Sequence, residues 1–490
     1  MSIKKSSIIV TLITAVGMVF TVEKQVVIAK YFGTSSELDS FFVAAAVPSV
    51  LGGISIGFFS SSMIPILTPL KEQSDKISEA ITSIVFFTLL VGTIVAIFGF
   101  SFKELPIMWL TAYSGEKLTY TANLAGYLWI ITGIAIFTYM LTAIFNLYKH
   151  FVFPGIVNLF IPFGITIAVL LSGKRIGTES IVIGWLFASG VMVLFLISIF
   201  KKIKINFRGL RLNNSYTKEI FFASIPIVLG GMPFTILPTI DAFWTSRLAE
   251  GSMSYIGYCT QFTIAIDTLV KNGIYTVLLP FLAENVNSDE EEIFWRRIIL
   301  TIKYIYAILI PVTIYCIFFK YDIIRIIFER GAFSSQSTKY VSSLLPYYLI
   351  GGLLAMVPVT ILNRAYYAKK QYIPFAIIGI VLIAFYFVLA GILSYLYGVY
   401  GIGIAYIAYW TSFLFICSKY IQVPLMNKGL FAMILKLLLA SAISVLIVHI
   451  ALSGVNFLIR GTVGITIFVP FAYLLKIHKD IEIERLLKIK

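Results

Sequence analysis

Charge is what this chain of 490 residues has least of. Only 12% of its residues are Asp, Glu, Lys or Arg, about half the roughly 25% of a soluble globular domain. That scarcity excludes a soluble fold. Histidine is limited to His150, His449 and His478, far apart in sequence, so no catalytic triad, zinc site or P-loop can be assembled from the motifs present. The three cysteines, Cys259, Cys316 and Cys417, have neither metal nor disulfide spacing and carry no redox message. A membrane glycosyltransferase or polymerase would need a sizeable extramembrane loop with paired acids. The longest candidate, NVNSDEEEIFWRR at 285–297, is too short and reads better as a helix-start connector, so an enzyme is not expected.

What is present instead is apolar surface. Hydrophobic residues make up 59% of the chain and the mean hydropathy is +0.95, with apolar runs of about 20 or more residues recurring from end to end. The chain is therefore expected to be an all-α polytopic membrane protein with about 14 spans. They lie near 6–32, 38–67, 79–102, 120–148, 151–173, 178–200, 216–247, 252–284, 295–319, 337–367, 371–397, 399–420, 428–452 and 454–477. The opening SIKKSSIIVTLITAVGMVF resembles a signal peptide but has no small-residue cleavage site, so it is read as a retained first span. Lysine and arginine are denser on the segments that share a side with the N-terminus, which places both termini in the cytoplasm. The net charge of +15 then faces a membrane surface rather than a nucleic acid. The densest basic segment, KKIKINFRGLRLNNSYTK at 201–218, either lies on anionic headgroups or only sets the topology.

Two pairs of segments suggest an internal duplication. YFGTSSELDSFF...SSMIPILTPLKE (31–72) parallels RLAEGSMSYIGY...YTVLLPFLAENV (247–286), and YLWIITG...NLYKHFVFP (127–154) parallels YYLIGG...NRAYYAKKQYIP (347–374). Both pairs are offset by about 215 to 220 residues, which gives two parallel six-span lobes and two further C-terminal spans. The expected organisation is an N-lobe at 1–200, a basic linker at 201–215, a C-lobe at 216–420, and spans 13 and 14 with a cytoplasmic tail at 421–490. Such a duplication is the architecture of an alternating-access transporter with its site between the halves. Pro48, Gly52, Gly53 and Gly57 in span 2, and Gly230, Gly231, Pro233 and Pro238 in span 7, predict interrupted helices. Interrupted helices either line a cavity or pack closely through their small residues.

The segments YFGTSSELDSFFVAAAVPSVL, GSMSYIGYCTQF, YTVLLPFLAE, FERGAFSSQSTKYVSSLLPYY and LNRAYYAKK resemble the MurJ/MviN branch of the multidrug/oligosaccharidyl-lipid/polysaccharide (MOP) flippase superfamily. The resemblance covers nearly the whole chain. It implies 14 spans in two lobes around a central cavity, in the bacterial cytoplasmic membrane, and an outward flip of undecaprenyl-pyrophosphate-linked sugars such as lipid II. Asp39 and Arg364 fall on their family counterparts. Where the family's lipid II flippases carry arginines in span 1, after the span 2 proline and in span 8, this chain has Met18 and Lys24, Gly52 and Gly53, and Gln261. On that ground a surface-polysaccharide or O-antigen-type repeat unit is favoured as cargo. Lipid II is the alternative, and a cation-coupled drug or metabolite antiporter of the same superfamily is a further one.

A charge in mid-bilayer costs about 2.5 to 3.5 kcal/mol even on the lenient scale, so it normally faces a cavity or a partner. Thr14, Gly17, Thr21 and Lys24 recur at helical steps and form one polar stripe on span 1. Lys24 is the first choice for a pyrophosphate contact, against the alternative of a snorkelling lysine. Asp267 and Lys271 share a face of span 8. Either they neutralise each other, or Asp267 binds a proton or sodium ion while Lys271 assists the phosphate. Asp241 in span 7 is a second ion site or a buried partner of Arg247. Gln261, Thr21, Asp39 and Arg364 complete the candidate substrate-binding set. Arg364, with Lys369 and Lys370, would meet the incoming diphosphate or only obey the charge rule. No cofactor is expected, and coupling to Na+, to H+ or to the membrane potential alone is left open. The expected partners are the polyprenyl-pyrophosphate-linked glycan, membrane lipids and envelope polysaccharide assembly enzymes.

Overall fold

A computed structural model describes residues 3–203, 215–283, 291–369, 371–420, 428–452, 454–455 and 457–480. Most of the basic linker, the loop at 284–290, Lys370 and the tail from 481 lie outside the described residues. The described chain is helical, with no strand. Hydrocarbon offers the backbone no hydrogen bonds, so each segment satisfies its own peptide groups. The first six long helices are α1 (Ile3–Phe32), α2 (Ser36–Gly57), α3 (Ser74–Ser101), α4 (Gly115–Leu147), α5 (Val152–Ile176) and α6 (Glu179–Phe200). The next six are α7 (Ser215–Thr235), α8 (Ser252–Ala283), α9 (Glu291–Phe318), α10 (Ser335–Leu349), α11 (Tyr372–Tyr397) and α12 (Val399–Tyr420). Helices α13 (Lys428–Ala451) and α14 (Phe457–Leu474) close the chain. Twelve helical runs are long and apolar enough to cross a membrane, and α8 and the shorter α14 bring the long helices to the expected number. Outward-pointing side chains such as Leu171 (79% exposed) and Phe187 (72%) are apolar, the reverse of a soluble surface.

The expected interruptions are present, but not all where the prolines stand. Helix α2 runs straight through Pro48. It loosens only after Gly57, into a π-helix at Phe58–Met63, an α-helical turn at Ile64–Leu67 and a 3-10 turn at Thr68–Glu72. Neighbouring threonines hold the segment around the proline: the Thr239 hydroxyl donates to the Ala46 carbonyl (3.2 Å) and that of Thr132 to the Pro48 carbonyl (3.4 Å). Helix α7 passes through Pro226 and Pro233 and breaks at Ile236, before a second helix at Leu237–Thr245. A third irregularity has no proline at its start: α10 passes into a π-helix at Ile350–Met356 and resumes at Val357–Ala368. There a Cβ on Gly351 would lie 2.6 Å from Tyr406 and one on Gly352 2.5 Å from Thr263, so the absent side chains admit these neighbours. Such π segments concentrate at functional positions.

The chain divides into two compact units, Met1–Gly257 with Arg330–Ser334, and Tyr258–Glu329 with Ser335–Lys490. The buried core of the first is mainly aliphatic, built around Met63, Ile81, Met140, Ile144 and Leu196 with Phe145 among them. In the second, Tyr366, Phe375, Tyr409, Trp410 and Phe413 form a connected set of ring contacts; the Trp410 and Phe413 rings stack with centroids 6.0 Å apart. Both units are thus packed mainly by dispersion, the force left to apolar helices in lipid.

Candidate functional site

Within the first unit, α1, α2, α4, α5 and α6 surround a cavity of about 740 Å³, within the range of small-molecule sites. Its wall is neutral: no Lys, Arg, His, Asp or Glu is among the lining residues. Thr132, Thr138, Thr142 and Asn146 follow one another at steps of six, four and four residues and turn one face of α4 into it. Asn158 and Trp185 add a second carboxamide and an indole from α5 and α6. The hydroxyls of Thr14, Thr132 and Thr138 donate to carbonyls one turn back, at 2.8, 2.9 and 3.0 Å, leaving their oxygens able to accept. The carboxamides of Asn146 and Asn158 have no hydrogen-bond partner among the described residues. Donors, acceptors and aromatic faces without charge suit a polar, uncharged ligand such as a sugar; they cannot neutralise an anion.

Adjacent glycines on α2 do different work. A Cβ on Gly52 would meet nothing within 4 Å, so Gly52 opens volume, whereas one on Gly53 would stand 2.5 Å from the Thr235 side chain and block the approach of α7. Both positions are those where the family resemblance led one to look for arginines.

The candidate residues divide between the two units. Of the span 1 stripe only Thr14 lines the cavity; Gly17 makes room for Leu159 of α5, and the Thr21 hydroxyl donates to the Gly17 carbonyl at 2.8 Å. Lys24 is half-buried outside the lining, with no hydrogen bond or ion pair to any described residue, and Gln25 beside it is buried with Oε1 unpartnered. Asp39 is buried and occupied elsewhere. Its carboxylate accepts from the backbone N–H groups of Gly251 (2.6 Å) and Ser254 (2.7 Å) and from the Ser254 hydroxyl (2.6 Å), closing the N-terminus of α8. Asp241 and Asp267 are buried at 4% and 7% exposure, Gln261 is half-buried on α8, and Arg364 is exposed in the second unit. The side chain of Lys271 lies outside the described residues. Arg247 is not the partner of Asp241: it stacks on the Phe243 ring (3.7 Å) and donates to the Leu110 and Phe243 carbonyls and the Ser246 hydroxyl.

Sequence reasoning missed the α4 face and the turn beyond it. The signal for the first was available, because polar residues at 132, 138, 142 and 146 recur near helical steps in an otherwise apolar run. At the α4–α5 turn, Lys71 donates to the Leu147 carbonyl and lies 5.4 Å over the Tyr148 ring; burial, then the charge of Lys149, lower its pKa. At the opposite end of the unit, burial and then the charges of Asp39 and Glu250 raise the pKa of the Tyr113 phenol.

The model of the family described as lipid II flippase MurJ matches residues 28–474. The chain belongs to the MurJ family. A probable lipid II flippase MurJ of Thermotoga maritima is 26% identical over 507 aligned positions, covering 98% of this chain and 99% of the relative. That of Buchnera aphidicola subsp. Schizaphis graminum is 25% identical over 386, covering 76% and 74%. A solved lipid II flippase MurJ in an inward closed conformation superposes with a TM-score of 0.80 at 22% identity, covering 96% of this chain and 99% of that one. An inward-facing multidrug resistance MATE transporter of the MOP superfamily follows at 0.61 and 12%, with 83% and 94% covered. The MurJ resemblance read from the loop motifs is therefore correct, and the chain is a multi-pass membrane protein of that family.

Proposed function

We propose that this MurJ-family chain moves lipid II, the lipid-linked peptidoglycan precursor, from the cytoplasmic to the outer leaflet. The observation that carries the reading is the family match across residues 28–474. It supports lipid II over the surface-polysaccharide unit that the absent arginines had favoured. Those absences bear on how the headgroup is held rather than on which one it is, since the neutral wall of the cavity still offers hydrogen bonds to sugar hydroxyl and acetamido groups. Lys24 is the cation proposed to meet the diphosphate within the membrane. Outward transfer of that anion down an inside-negative potential gains about 2.3 kcal/mol per charge per 100 mV, enough to bias transport without a coupled ion. If an ion is coupled, Asp241 and Asp267 are its proposed sites.

The test is complementation of a strain depleted of its lipid II flippase. Growth should return with the wild-type chain and decline with Lys24→Ala. Failure of growth, with another undecaprenyl-pyrophosphate glycan accumulating on deletion, would return the assignment to a surface polysaccharide.

A further inference from the structure

Three lysines converge on the turn that carries one end of the neutral cavity. Lys71 comes from the 3-10 turn after α2, Lys149 from the α4–α5 turn, and Lys202 from the turn after α6, its ammonium 4.9 Å over the Phe153 ring. Phe153 is 5.6 Å from Phe145 and 6.0 Å from the His150 ring, so Lys202 sits on rings of the same turn whose Tyr148 ring lies under Lys71. None of the three pairs with a carboxylate of any described residue, Glu72 and Asp75 on the neighbouring turn included. Asn146, Phe151 and Pro154, which line the cavity, alternate with these residues along the same turn.

Lys149 is held there against its backbone preference. Helix α4 ends with Lys149 N–H donating to the Asn146 carbonyl (3.0 Å) and His150 N–H to that of Phe145 (2.9 Å), the hydrogen-bond pair of a Schellman end. Its left-handed residue is normally glycine, yet Lys149 occupies it at φ 62°. Lys476 after α14 has a similar backbone but stands in the other unit. A strained lysine beside a second, partly buried one concentrates positive charge without a counter-ion, which a bound anion would relieve.

We propose that Lys71, Lys149 and Lys202 form a diphosphate-docking site at the α4–α5 end of the cavity, holding the anionic part of a lipid-linked sugar while the neutral sugar enters between Thr132, Asn146 and Asn158. The proposal rests on the flippase reading and concerns the docked state that precedes the Lys24 contact: anion on the lysines at the membrane surface, where charge costs least, sugar on the neutral groups of the cavity. The heavier basic load of this side places it at the cytoplasmic surface, where the diphosphate arrives.

The experiment is a calorimetric titration of inorganic pyrophosphate onto the purified full chain in phosphatidylcholine nanodiscs. The parent should bind pyrophosphate more tightly than orthophosphate, and Lys71→Gln with Lys149→Gly should weaken it about 25-fold, roughly fivefold per lysine. Lys149→Gly relieves the backbone, so lost binding in that variant alone cannot be assigned to misfolding. No binding by the parent, or parental affinity in the double variant, overturns the site. Equal competition by phosphatidylglycerol added to the disc makes the cluster a general anionic-lipid patch and likewise overturns it. Complementation separates this outcome from the flippase reading. A chain that binds pyrophosphate through these lysines but does not restore growth keeps the site and loses lipid II as cargo.

Discussion

At one end of the first unit a buried carboxylate, an ion pair and two interlocked loops are fastened; at the other, positive charge has no carboxylate partner among the described residues. At the first, Asp39 closes the start of α8 with three hydrogen bonds, and Lys117 lies 3.6 Å from Glu250 and 4.4 Å over Tyr113. The loops at 30–34 and 330–334 interlock by backbone. Ala332 N–H donates to the Lys30 carbonyl at 2.8 Å, and Gly33 and Gly331, both at positive φ, sit where a Cβ would come within 2.3 Å of a carbonyl oxygen of the other loop. At the second end, Lys71 meets a carbonyl and a ring and Lys202 a ring, and none of Lys71, Lys149 and Lys202 pairs with a carboxylate of a described residue. The same residue types therefore serve as a joint where acids and amides face them, and where none does they are the site proposed for an anion. A charge is informative about function when its partner is missing, not when it is merely present in a membrane.

The sharpest way to break the comparison is Asp39→Ala, which leaves two buried N–H groups and a hydroxyl without their acceptor. It should cost about 3 kcal/mol, read as a lowered melting temperature of the solubilised chain. An unchanged melting temperature would mean that this end is no joint. Next comes Gly331→Ala, which forces a methyl group onto the Lys30 carbonyl at a left-handed backbone position; thermal unfolding should register about 2 kcal/mol. The adjacent glycines of α2 should then separate. Gly53→Ala should destabilise by about 1 kcal/mol through Thr235. Gly52→Phe, entering open cavity, should leave melting within about 1 kcal/mol while lipid II flipping in proteoliposomes falls at least about tenfold, the equivalent of 1.4 kcal/mol. The smallest effect is expected of Lys149→Gly: roughly 0.5 kcal/mol more stable in thermal unfolding, by relief of the left-handed lysine. A variant that is more stable yet binds pyrophosphate less well would mark this end as one where stability has been yielded to ligand.

The break in span 7 was legible because Pro233 and Pro238 flank it, and the MurJ resemblance was legible in the very loops that interlock, YFGTSS and FERGAF. The π-helix of α10 was not, since Gly351 and Gly352 signal nothing until Tyr406 and Thr263 are seen to fill their places. Asp39 entered the substrate-binding set because it falls on a family counterpart, although its place near the outer turn favoured a part in loop structure. Its partners, 212 and 215 positions away, are backbone amides, which a sequence does not mark.

By itself the sequence determined the class of the molecule: apolar runs of membrane length, their number, the scarcity of charge that goes with them, and the loop motifs that place it in its family. Those are properties of composition and order, set by the hydrocarbon thickness and by the need to satisfy the backbone internally. Which residues look into the cavity was decided only by the tertiary structure. In lipid the outward face of a helix is as apolar as the inward one, so helical periodicity loses the contrast that marks a buried face in water. The neutral wall on α4, the two separate uses of Gly52 and Gly53, and the three lysines drawn to one turn exist only once the helices are packed.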